Sequence, residues 1–180
     1  MAKTIQIKDK KFSLSIPEHE IQKAVNQVAH QITVDYTGKT PLFIVVLNGA
    51  FMFAADLMKA INFPCEISFV KFSSYRGTTS SGMLNETAGL NESVEGRDVI
   101  IVEDIVDTGI TIEGVINSLK AQGTKSIAVA AFLQKPEALQ REVTVDYVAL
   151  KIPNNFIVGY GLDYDGYGRN LKDIYTVVNE

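Results

Sequence analysis

The sequence has little cysteine, no long apolar run and no excess of basic residues. Cys65 is the only cysteine in 180 residues, so the chain cannot form an internal disulfide, which favours an intracellular protein. No stretch approaches the ~20 uninterrupted apolar residues of a membrane-spanning helix. The first residues contain no apolar run that could serve as a signal peptide. We therefore expect a cytoplasmic protein with no membrane partner.

The charge balance and the absence of repeats narrow the range of functions. The net charge is −4 at pH 7, whereas a general nucleic-acid binder usually has a basic stripe, so we expect no nucleic-acid partner. Small anionic substrates remain compatible with this charge, because backbone N–H groups, a metal ion and one or two cations can hold them. The sequence has no repeat, low-complexity tract or linker, and we predict a single domain over residues 1–180.

Alternating strand and helix patterns predict an α/β protein. Continuous apolar runs are typical of strands buried on both faces, and apolar residues at helical spacing mark the helices. The predicted strands are 42–47, 67–72, 99–102, 127–133, 146–152, 156–160 and 174–178, and two of the predicted helices are 51–61 and 111–122. Strand–helix–strand twice over favours a mostly parallel sheet flanked by helices, with ligands at the carboxyl ends of the strands.

Two further segments have a distinctive local pattern. Ser15 and Glu18 match a capping box and Pro17 suits an early helical position, so we predict that the first helix begins there. Its apolar stripe is Ile21, Ala24, Val25, Val28, Ala29 and Ile32. Residues 73–95 are rich in Ser, Thr, Gly and Asn, and they predict a mobile functional loop that could form a hairpin.

The segment 99–111 contains the pattern that indicates chemistry. Glu103 and Asp104 are adjacent acids at the predicted end of a buried strand, and a loop of mostly small residues then leads directly into a helix. That loop is Asp107, Thr108, Gly109, Ile110 and Thr111. Its backbone N–H groups and hydroxyls suit a phosphate monoester, and the acids suit two ribose hydroxyls, either directly or through a metal. The alternative is that Asp107 or Thr108 only caps the helix and that the acids are solvated.

Other phosphate-binding patterns do not match. A Walker P-loop is excluded because no Gly-Lys-Ser or Gly-Lys-Thr is present. The glycines at 159 and 161, and those at 166 and 168, make no dinucleotide fingerprint, since no helix is predicted after them.

The whole pattern over 99–111 resembles the signature of type I phosphoribosyltransferases: four apolar residues, two acids, two apolar residues, then Asp-Thr-Gly-x-Thr. Further segments resemble the hypoxanthine-guanine members of that family in the expected order. They are the pyrophosphate loop at 47–53, the start of the lid at 73–77, the base-reading lysine segment at 133–135, the purine pocket at 152–164, and Arg169.

The resemblance implies a fold and a reaction. The fold is the type I phosphoribosyltransferase fold, a central mostly parallel sheet flanked by helices. It has a small hood from the N-terminal and C-terminal segments and a flexible lid hairpin at about 73–95. The reaction transfers the 5-phosphoribosyl group from 5-phosphoribosyl-1-pyrophosphate (PRPP) to hypoxanthine, guanine or both, giving IMP or GMP and pyrophosphate in purine salvage. Mg²⁺ is the implied cofactor, and a homodimer or homotetramer is the implied assembly.

The resemblance also implies roles for the ribose-phosphate residues. Glu103 and Asp104 would hold the ribose hydroxyls with Mg²⁺ nearby. Asp107 would be catalytic and face N7 of the purine, and the loop 107–111 would bind the 5′-phosphate. Ser74 and Tyr75 would be the lid pair that closes over the reacting centre.

The remaining implied roles concern the base and pyrophosphate. Lys135 would donate to O6 of the base and Phe156 would stack on its ring. The backbone of Ile157 and Asp163 would meet the other edge of the base, and the Asp163 carboxylate would approach a second Mg²⁺. The residues implied for pyrophosphate are Asn48, Gly49 and Arg169. The family usually has lysine in place of Asn48, which donates hydrogen bonds but has no charge.

Two alternative functions stay open. One is a PRPP-sensing regulatory protein without catalysis, although the sequence shows neither a DNA-binding module nor a basic RNA-binding face. The other is an enzyme of the same fold that uses adenine, xanthine or orotate. Lys135 and the segment around Phe156 speak against adenine and orotate, whereas xanthine is harder to exclude. The sequence does not choose between hypoxanthine and guanine.

Overall fold

A computed structural model describes residues 3–73, 85–88, 90 and 92–178. The predicted lid pair, Ser74 and Tyr75, lies outside the described residues. The elements in chain order are β1 (Thr4–Ile7), β2 (Lys10–Ile16), α1 (Glu18–Asp35), β3 (Leu42–Leu47), α2 (Phe51–Ala60), β4 (Glu66–Ser73), β5 (Asn85–Ala88), β6 (Asp98–Val106), α3 (Ile110–Ala121), β7 (Ser126–Gln134), β8 (Tyr147–Lys151), β9 (Ile157–Val158) and β10 (Ile174–Val177). No helix among these described elements has the length and apolar character needed to cross a membrane.

The larger sheet has the strand order β5-β4-β3-β6-β7-β8. Strands β4, β3, β6, β7 and β8 are parallel, and β5 pairs antiparallel with β4 at one edge. On β3, Phe43 and Val45 face the side covered by α1 and α2, while Leu42 and Ile44 face the side covered by α3. This double coverage explains the continuous apolar run of β3. The predicted α/β fold with a mostly parallel sheet is confirmed.

A smaller antiparallel sheet, the hood, joins both ends of the described chain in the strand order β1-β2-β10-β9. Its core contains Phe12, Val158 and Tyr175, all buried. The strands β1 and β2 were not among the predicted elements, although Phe12, Leu14 and Ile16 of β2 alternate with polar residues as in a half-buried strand. The predicted strand 156–160 is confined to β9, and β9 belongs to the hood.

The capping-box prediction for α1 was wrong. The Ser15 hydroxyl donates to the carbonyl oxygen of Ile174, at 3.1 Å, and makes no cap. The Glu18 N–H instead donates to Oδ1 of Asp173, at 2.9 Å. The helix therefore takes its cap from a residue 155 positions away, which a local pattern could not reveal.

The predicted end of the strand 99–102, which corresponds to β6, was also wrong. Strand β6 continues to Val106 because its pairing with β7 continues to the register Val106–Gln134. Glu103 and Asp104 therefore lie within the last half of the strand, and the turn begins only at Asp107.

Candidate active site

The adjacent acids on β6 differ in their surroundings. Glu103 is 8% exposed, and its Oε2 has no hydrogen-bond partner among the described residues. Burial, and then the neighbouring Asp104, raise the pKa of the Glu103 carboxyl well above its ordinary value. Asp104 is half-buried, and its Oδ1 accepts the Ile105 N–H at 2.7 Å. The pair therefore places the buried carboxyl group of Glu103, one oxygen of which lacks a hydrogen bond to the described residues, beside the half-buried carboxyl group of Asp104.

The loop 107–111 connects β6 to the first turn of α3. Gly109 has φ +81°, a left-handed conformation that glycine adopts without strain, and α3 begins at Ile110. The Thr108 hydroxyl oxygen lies 3.4 Å from the Ile110 nitrogen. A cavity of about 70 Å³ is lined by Glu103, Ile105, Val106, Asp107, Thr108, Gly109, Thr111 and Ile112. The N–H groups of a first helical turn lack intrahelical acceptors, so they suit an anion at this position.

Lys135 and Asp107 lie together at the ends of neighbouring strands. The Lys135 Nζ is 3.5 Å from Oδ2 of Asp107. Lys135 is 8% exposed, and its backbone N–H donates to the Val106 carbonyl at 3.0 Å. Parallel pairing of β6 with β7 brings these two residues together at the carboxyl ends of the two strands. A buried ammonium group therefore lies beside the carboxylate of the first residue of the loop 107–111.

Asp163 lies between two tight turns. Backbone hydrogen bonds join Gly159 to Leu162 and Tyr164 to Tyr167 in both directions. The central residues of both turns have positive φ: Tyr160 (46°), Gly161 (99°), Asp165 (52°) and Gly166 (86°). Positive φ at both central positions is the requirement of a type I′ turn.

These turns bring Asp163 and Arg169 into contact. Arg169 Nη2 is 2.7 Å from Asp163 Oδ1, and Arg169 Nη1 donates to the Gly161 carbonyl at 2.7 Å. The second carboxylate oxygen of Asp163 accepts the Gly166 N–H at 2.7 Å. The guanidinium is thus fixed beside the carboxylate implied for a second Mg²⁺.

The aromatic residue predicted to stack on the base is accessible. Phe156 is 45% exposed, which is far more than an ordinary core residue would be. The next residue, Ile157, is buried in β9 with its side chain in the main core. Phe156 therefore offers a ring surface while Ile157 fixes the strand that follows it.

The predicted pyrophosphate loop lies against the acids. Its first peptide, between Leu47 and Asn48, is cis. Asn48 is exposed, whereas Gly49 is buried, and a Cβ atom on Gly49 would overlap Oδ2 of Asp104. The loop and the acidic pair are therefore in direct contact.

The structure brings together three pairs of predicted site residues: Asp107 with Lys135, Asp163 with Arg169, and Gly49 with Asp104. It does not bring the three predicted metal ligands, Glu103, Asp104 and Asp163, into one cluster. Over the described part of the chain, no group of three or more His, Cys, Asp or Glu side chains could hold a metal ion. The individual roles of these residues stay predictions.

The sequence did not predict two hydrogen bonds that hold the purine segment, the stretch 152–164 that resembles the family's purine pocket. The hydroxyl of the buried Tyr160 donates to Oδ2 of Asp56 on α2, at 2.7 Å. Gln22 on α1 donates to the same oxygen, also at 2.7 Å. Tyr160 and Asp56 are 104 positions apart in sequence, and Gln22 and Asp56 are 34 positions apart. No local pattern therefore indicates these contacts.

The fold and the site define an α/β protein whose polar residues gather at the carboxyl ends of parallel strands, where such sheets bind ligands. Residues 16–165 match the model of the phosphoribosyl transferase domain family. The chain belongs to that family, and the resemblance seen in its sequence is confirmed.

Curated relatives are similar to this chain over most of its length. The hypoxanthine-guanine phosphoribosyltransferase of Streptococcus pneumoniae is 39% identical over 166 residues, which cover 92% of each protein. The enzyme of that name from Aquifex aeolicus is 36% identical over 174 residues, covering 96% of this chain and 98% of the relative. The bifunctional protein TilS/HprT of Listeria monocytogenes is 41% identical over 160 residues. This chain spans only about a quarter of that longer relative.

Solved structures show the same architecture. A hypoxanthine-guanine phosphoribosyltransferase of Bacillus anthracis superposes with a TM-score of 0.86 at 36% identity, covering 92% of this chain and 96% of the other. A hypoxanthine phosphoribosyltransferase of Trypanosoma cruzi superposes with a TM-score of 0.88 at 35% identity, covering 97% and 95%.

Proposed function

We propose that the protein transfers the 5-phosphoribosyl group of PRPP to hypoxanthine or guanine, producing IMP or GMP and pyrophosphate in purine salvage. The observation that carries the proposal is the contact between Lys135 and Asp107, whose Nζ and Oδ2 lie 3.5 Å apart beside the loop 107–111. One donor and one acceptor at this separation suit the O6 and N7 edge of a 6-oxopurine. The relatives named for this reaction support the same proposal.

In the proposed reaction, a ring nitrogen of the base forms a bond to the anomeric carbon while the carbon–oxygen bond to pyrophosphate breaks. The loop 107–111 holds the 5′-phosphate through N–H groups and hydroxyls, which fixes the ribose. Asp107 accepts or shares the N7 proton as the base is alkylated. Arg169 donates to the departing pyrophosphate and neutralises part of its charge.

We propose Mg²⁺ as the cofactor. The donor set fits this ion, because Mg²⁺ usually takes one or two carboxylates and completes its shell with water and substrate phosphates. Asp104 and Glu103 supply the carboxyl groups, and Oε2 of Glu103 has no hydrogen-bond partner among the residues that the structure describes; a cation beside it would satisfy this oxygen and favour the ionised form of the group. Asp163 supplies a separate carboxylate beside Arg169. The bound ion would supply charge neutralisation for the pyrophosphate leaving group.

Base selectivity follows from the chemistry of Lys135. Its ammonium group has only donors, so it satisfies a carbonyl at purine position 6 but finds no acceptor in an amino group. Because the ammonium is buried, a base with an amino group at position 6 would place two donors against each other and leave Asp107 as the partner of Lys135, and adenine should be rejected by a factor of about 10³ or more. Xanthine should be poor, because its carbonyl at position 2 would meet the backbone carbonyls near Ile157 and Asp163.

The test is a panel of bases incubated with PRPP and Mg²⁺, with nucleotide formation followed by chromatography. We expect product with hypoxanthine and guanine, little with xanthine, and none above background with adenine or orotate. The Lys135→Ala variant should erode the preference for 6-oxo bases more than it weakens PRPP binding. Adenine used about as well as hypoxanthine would remove Lys135 from base recognition. PRPP binding without any nucleotide formation would favour the regulatory alternative.

We also propose that the protein is a cytoplasmic homo-oligomer, a homodimer or a homotetramer. On β4, Ile67 and Phe69 are 40% and 47% exposed, while the alternate residues Ser68 and Val70 are buried. Ile67 and Phe69 lie on the same face of the sheet as Phe43 and Val45, the face that α1 and α2 cover at other strands. On β4 these apolar side chains are exposed, which is typical of an interaction surface. Light scattering should show a dimer or larger assembly, and Phe69→Glu should reduce its size. A monomeric wild-type protein would contradict the proposal.

A further inference from the structure

Three aromatic rings meet where the hood adjoins the purine segment. The centroids of Phe156 and Tyr164 are 5.7 Å apart, and the rings are nearly perpendicular at 81°. Phe12 of β2 lies 6.2 Å from Phe156 and 6.1 Å from Tyr164. Phe12 is fully buried and Phe156 is 45% exposed. The cluster is therefore anchored in the hood by Phe12 and accessible to a ligand at Phe156. Such pairs prefer tilted or perpendicular arrangements, which restricts how the Phe156 ring can turn.

Tyr164 is held by the turn between β1 and β2. Its hydroxyl donates to Oδ1 of Asp9, at 2.8 Å. The hydrogen bond lowers the pKa of the Asp9 carboxyl and raises the pKa of the Tyr164 phenol. At neutral pH the pair is therefore a carboxylate accepting from a neutral phenol, which is a stronger bond than one between neutral groups. Lys10 adds a contact, with its Nζ 5.8 Å from the centre of the Tyr164 ring.

A second pair ties the same turn to the same loop. The Lys8 ammonium pairs with the Asp165 carboxylate and lies 5.1 Å from the centre of the Tyr167 ring. These groups are exposed, and exposed ion pairs contribute little. Asp9 is exposed as well, but of the two pairs only Asp9–Tyr164 includes a ring of the aromatic cluster, so it is the contact that reaches from the turn into that cluster.

We infer that Asp9 is a positioning residue for the base-stacking ring, acting through Tyr164 on the orientation of Phe156. The inference rests on the proposed function, in which the exposed part of Phe156 stacks on the purine. Without the hydrogen bond, Tyr164 loses its fixed place against Phe156, and the Phe156 ring gains orientations that do not stack. Ordering that ring then opposes base binding, whereas the phosphate loop 107–111 is on another element and keeps its geometry.

The experiment measures steady-state kinetics with hypoxanthine and PRPP varied separately. Tyr164→Phe and Asp9→Ala should each raise KM for hypoxanthine roughly 3–10-fold, the effect of losing one hydrogen bond. KM for PRPP and kcat should stay within about twofold of wild type, because no ribose-phosphate contact changes. Asp9→Asn keeps an acceptor oxygen and should restore KM close to the wild-type value. The double variant Asp9→Ala/Tyr164→Phe should be no worse than either single variant, since both remove the same bond.

Tyr167→Phe is the matched control, because Tyr167 is a tyrosine of the same turn but is 61% exposed and outside the aromatic cluster. It should leave both KM values unchanged. The inference is overturned if hypoxanthine KM stays within twofold in Asp9→Ala, if both KM values rise together, or if Tyr167→Phe has the same effect. Failure of the proposed function looks different: the wild-type protein itself would form no nucleotide, and the inference would fall with it.

Discussion

The backbone of Gly161 lies directly against the backbone of Gly49, so that a Cβ atom on Gly161 would overlap the Gly49 carbonyl oxygen. No side chain separates the purine segment from the pyrophosphate loop at this point. Gly49 in turn lies against the carboxylate of Asp104. Three segments distant in sequence therefore meet through atoms that leave no room for a methyl group.

The contact predicts a large cost for Gly161→Ala. The variant would combine a left-handed φ of +99° with the overlap on Gly49, and we expect it to lower the free energy of unfolding by about 3 kcal/mol or more. Gly166→Ala is the control, because Gly166 has φ +86° but no atom within 4 Å of the added Cβ. That control should cost only about 1–2 kcal/mol. Equal losses in urea unfolding would show that backbone conformation alone requires glycine at 161.

A second prediction concerns the cap of α1. Asp173→Ala removes the acceptor of the Glu18 N–H together with the partner of Lys3 and Tyr175, and should lower the free energy of unfolding by at least about 1–2 kcal/mol. Ser15→Ala is the matched control, because the Ser15 hydroxyl bonds Ile174 and not the helix; it should cost less than Asp173→Ala. Denaturant unfolding compares the two, and an equal or larger loss in Ser15→Ala would mean that the Asp173 cap contributes little to the stability of the protein.

The same carboxylate gives that cap a pH dependence. Hydrogen bonding to Lys3, then to Glu18 N–H and Tyr175, lowers the pKa of Asp173 below its ordinary value of 3.8, against an opposing effect of burial. A depressed pKa in the folded state means that the carboxylate contributes stability above the unfolded value and loses it as the pH falls through the folded value. The stability advantage of wild type over Asp173→Asn should therefore be constant at neutral pH and shrink below roughly pH 4. A difference that is unchanged at pH 3 would contradict this assignment.

A third prediction tests the acid–base role of Asp107. Asp107→Asn should leave PRPP binding nearly intact but slow turnover roughly 10²-fold or more, the usual range for losing a general base. Single-turnover rates are the measurement, since slow product release would mask the chemical step. Glu137→Gln, which neutralises an exposed acid two positions after Lys135, should have no effect. Near-normal single-turnover rates in Asp107→Asn would remove Asp107 from the acid–base role.

A fourth prediction tests the phosphate cradle. Thr111→Val keeps the shape of the side chain but removes its hydroxyl, and PRPP binding should weaken by roughly 1–2 kcal/mol in calorimetry. Thr37→Val is the control, because the Thr37 hydroxyl donates to the Thr33 carbonyl near the end of α1, away from the loop. Unchanged PRPP affinity in Thr111→Val would indicate that the loop serves only as a helix cap.

The fifth prediction concerns Asn48, an exposed residue in the pyrophosphate loop. If a cation at this position only attracts the ligand, Asn48→Lys should tighten pyrophosphate binding without changing the melting temperature. Titration calorimetry with pyrophosphate and Mg²⁺ measures the pyrophosphate affinity, and thermal unfolding measures the melting temperature. Lost activity or solubility would mean that the surroundings are adapted to the amide.

Apolar continuity made part of the fold predictable. The run 42–47 matches β3 in both bounds, because a strand buried on two faces needs apolar residues throughout. The end of β6 was misplaced because adjacent acids are typical of a strand end, whereas pairing with β7 carries the strand to Val106. In the hood, β2 alternates polar and apolar residues as a half-buried strand does, but it pairs with β10 near the other end of the chain, and no local pattern identifies that partner.

The site was predictable only where its residues are neighbours in sequence. The pattern 99–111 places Asp107 before the helix, and the structure keeps it there. The contacts that support the site join distant positions, such as Asp9 with Tyr164 and Asp56 with Tyr160. Tertiary packing determines those contacts, and no spacing within one segment reveals them.

The contact between Gly49 and Gly161 also has a thermodynamic consequence. Two backbones that touch without side chains cannot adjust by a change of rotamer, so a displacement of one segment must be matched by the other. In the proposed reaction, a base that shifted the purine segment would change the affinity of the neighbouring loop for pyrophosphate, and linkage would then require pyrophosphate to change base affinity by the same factor. Glycine at these positions would thus couple the two sites in the proposed reaction, so that the free energy of binding the base depends on whether pyrophosphate is bound.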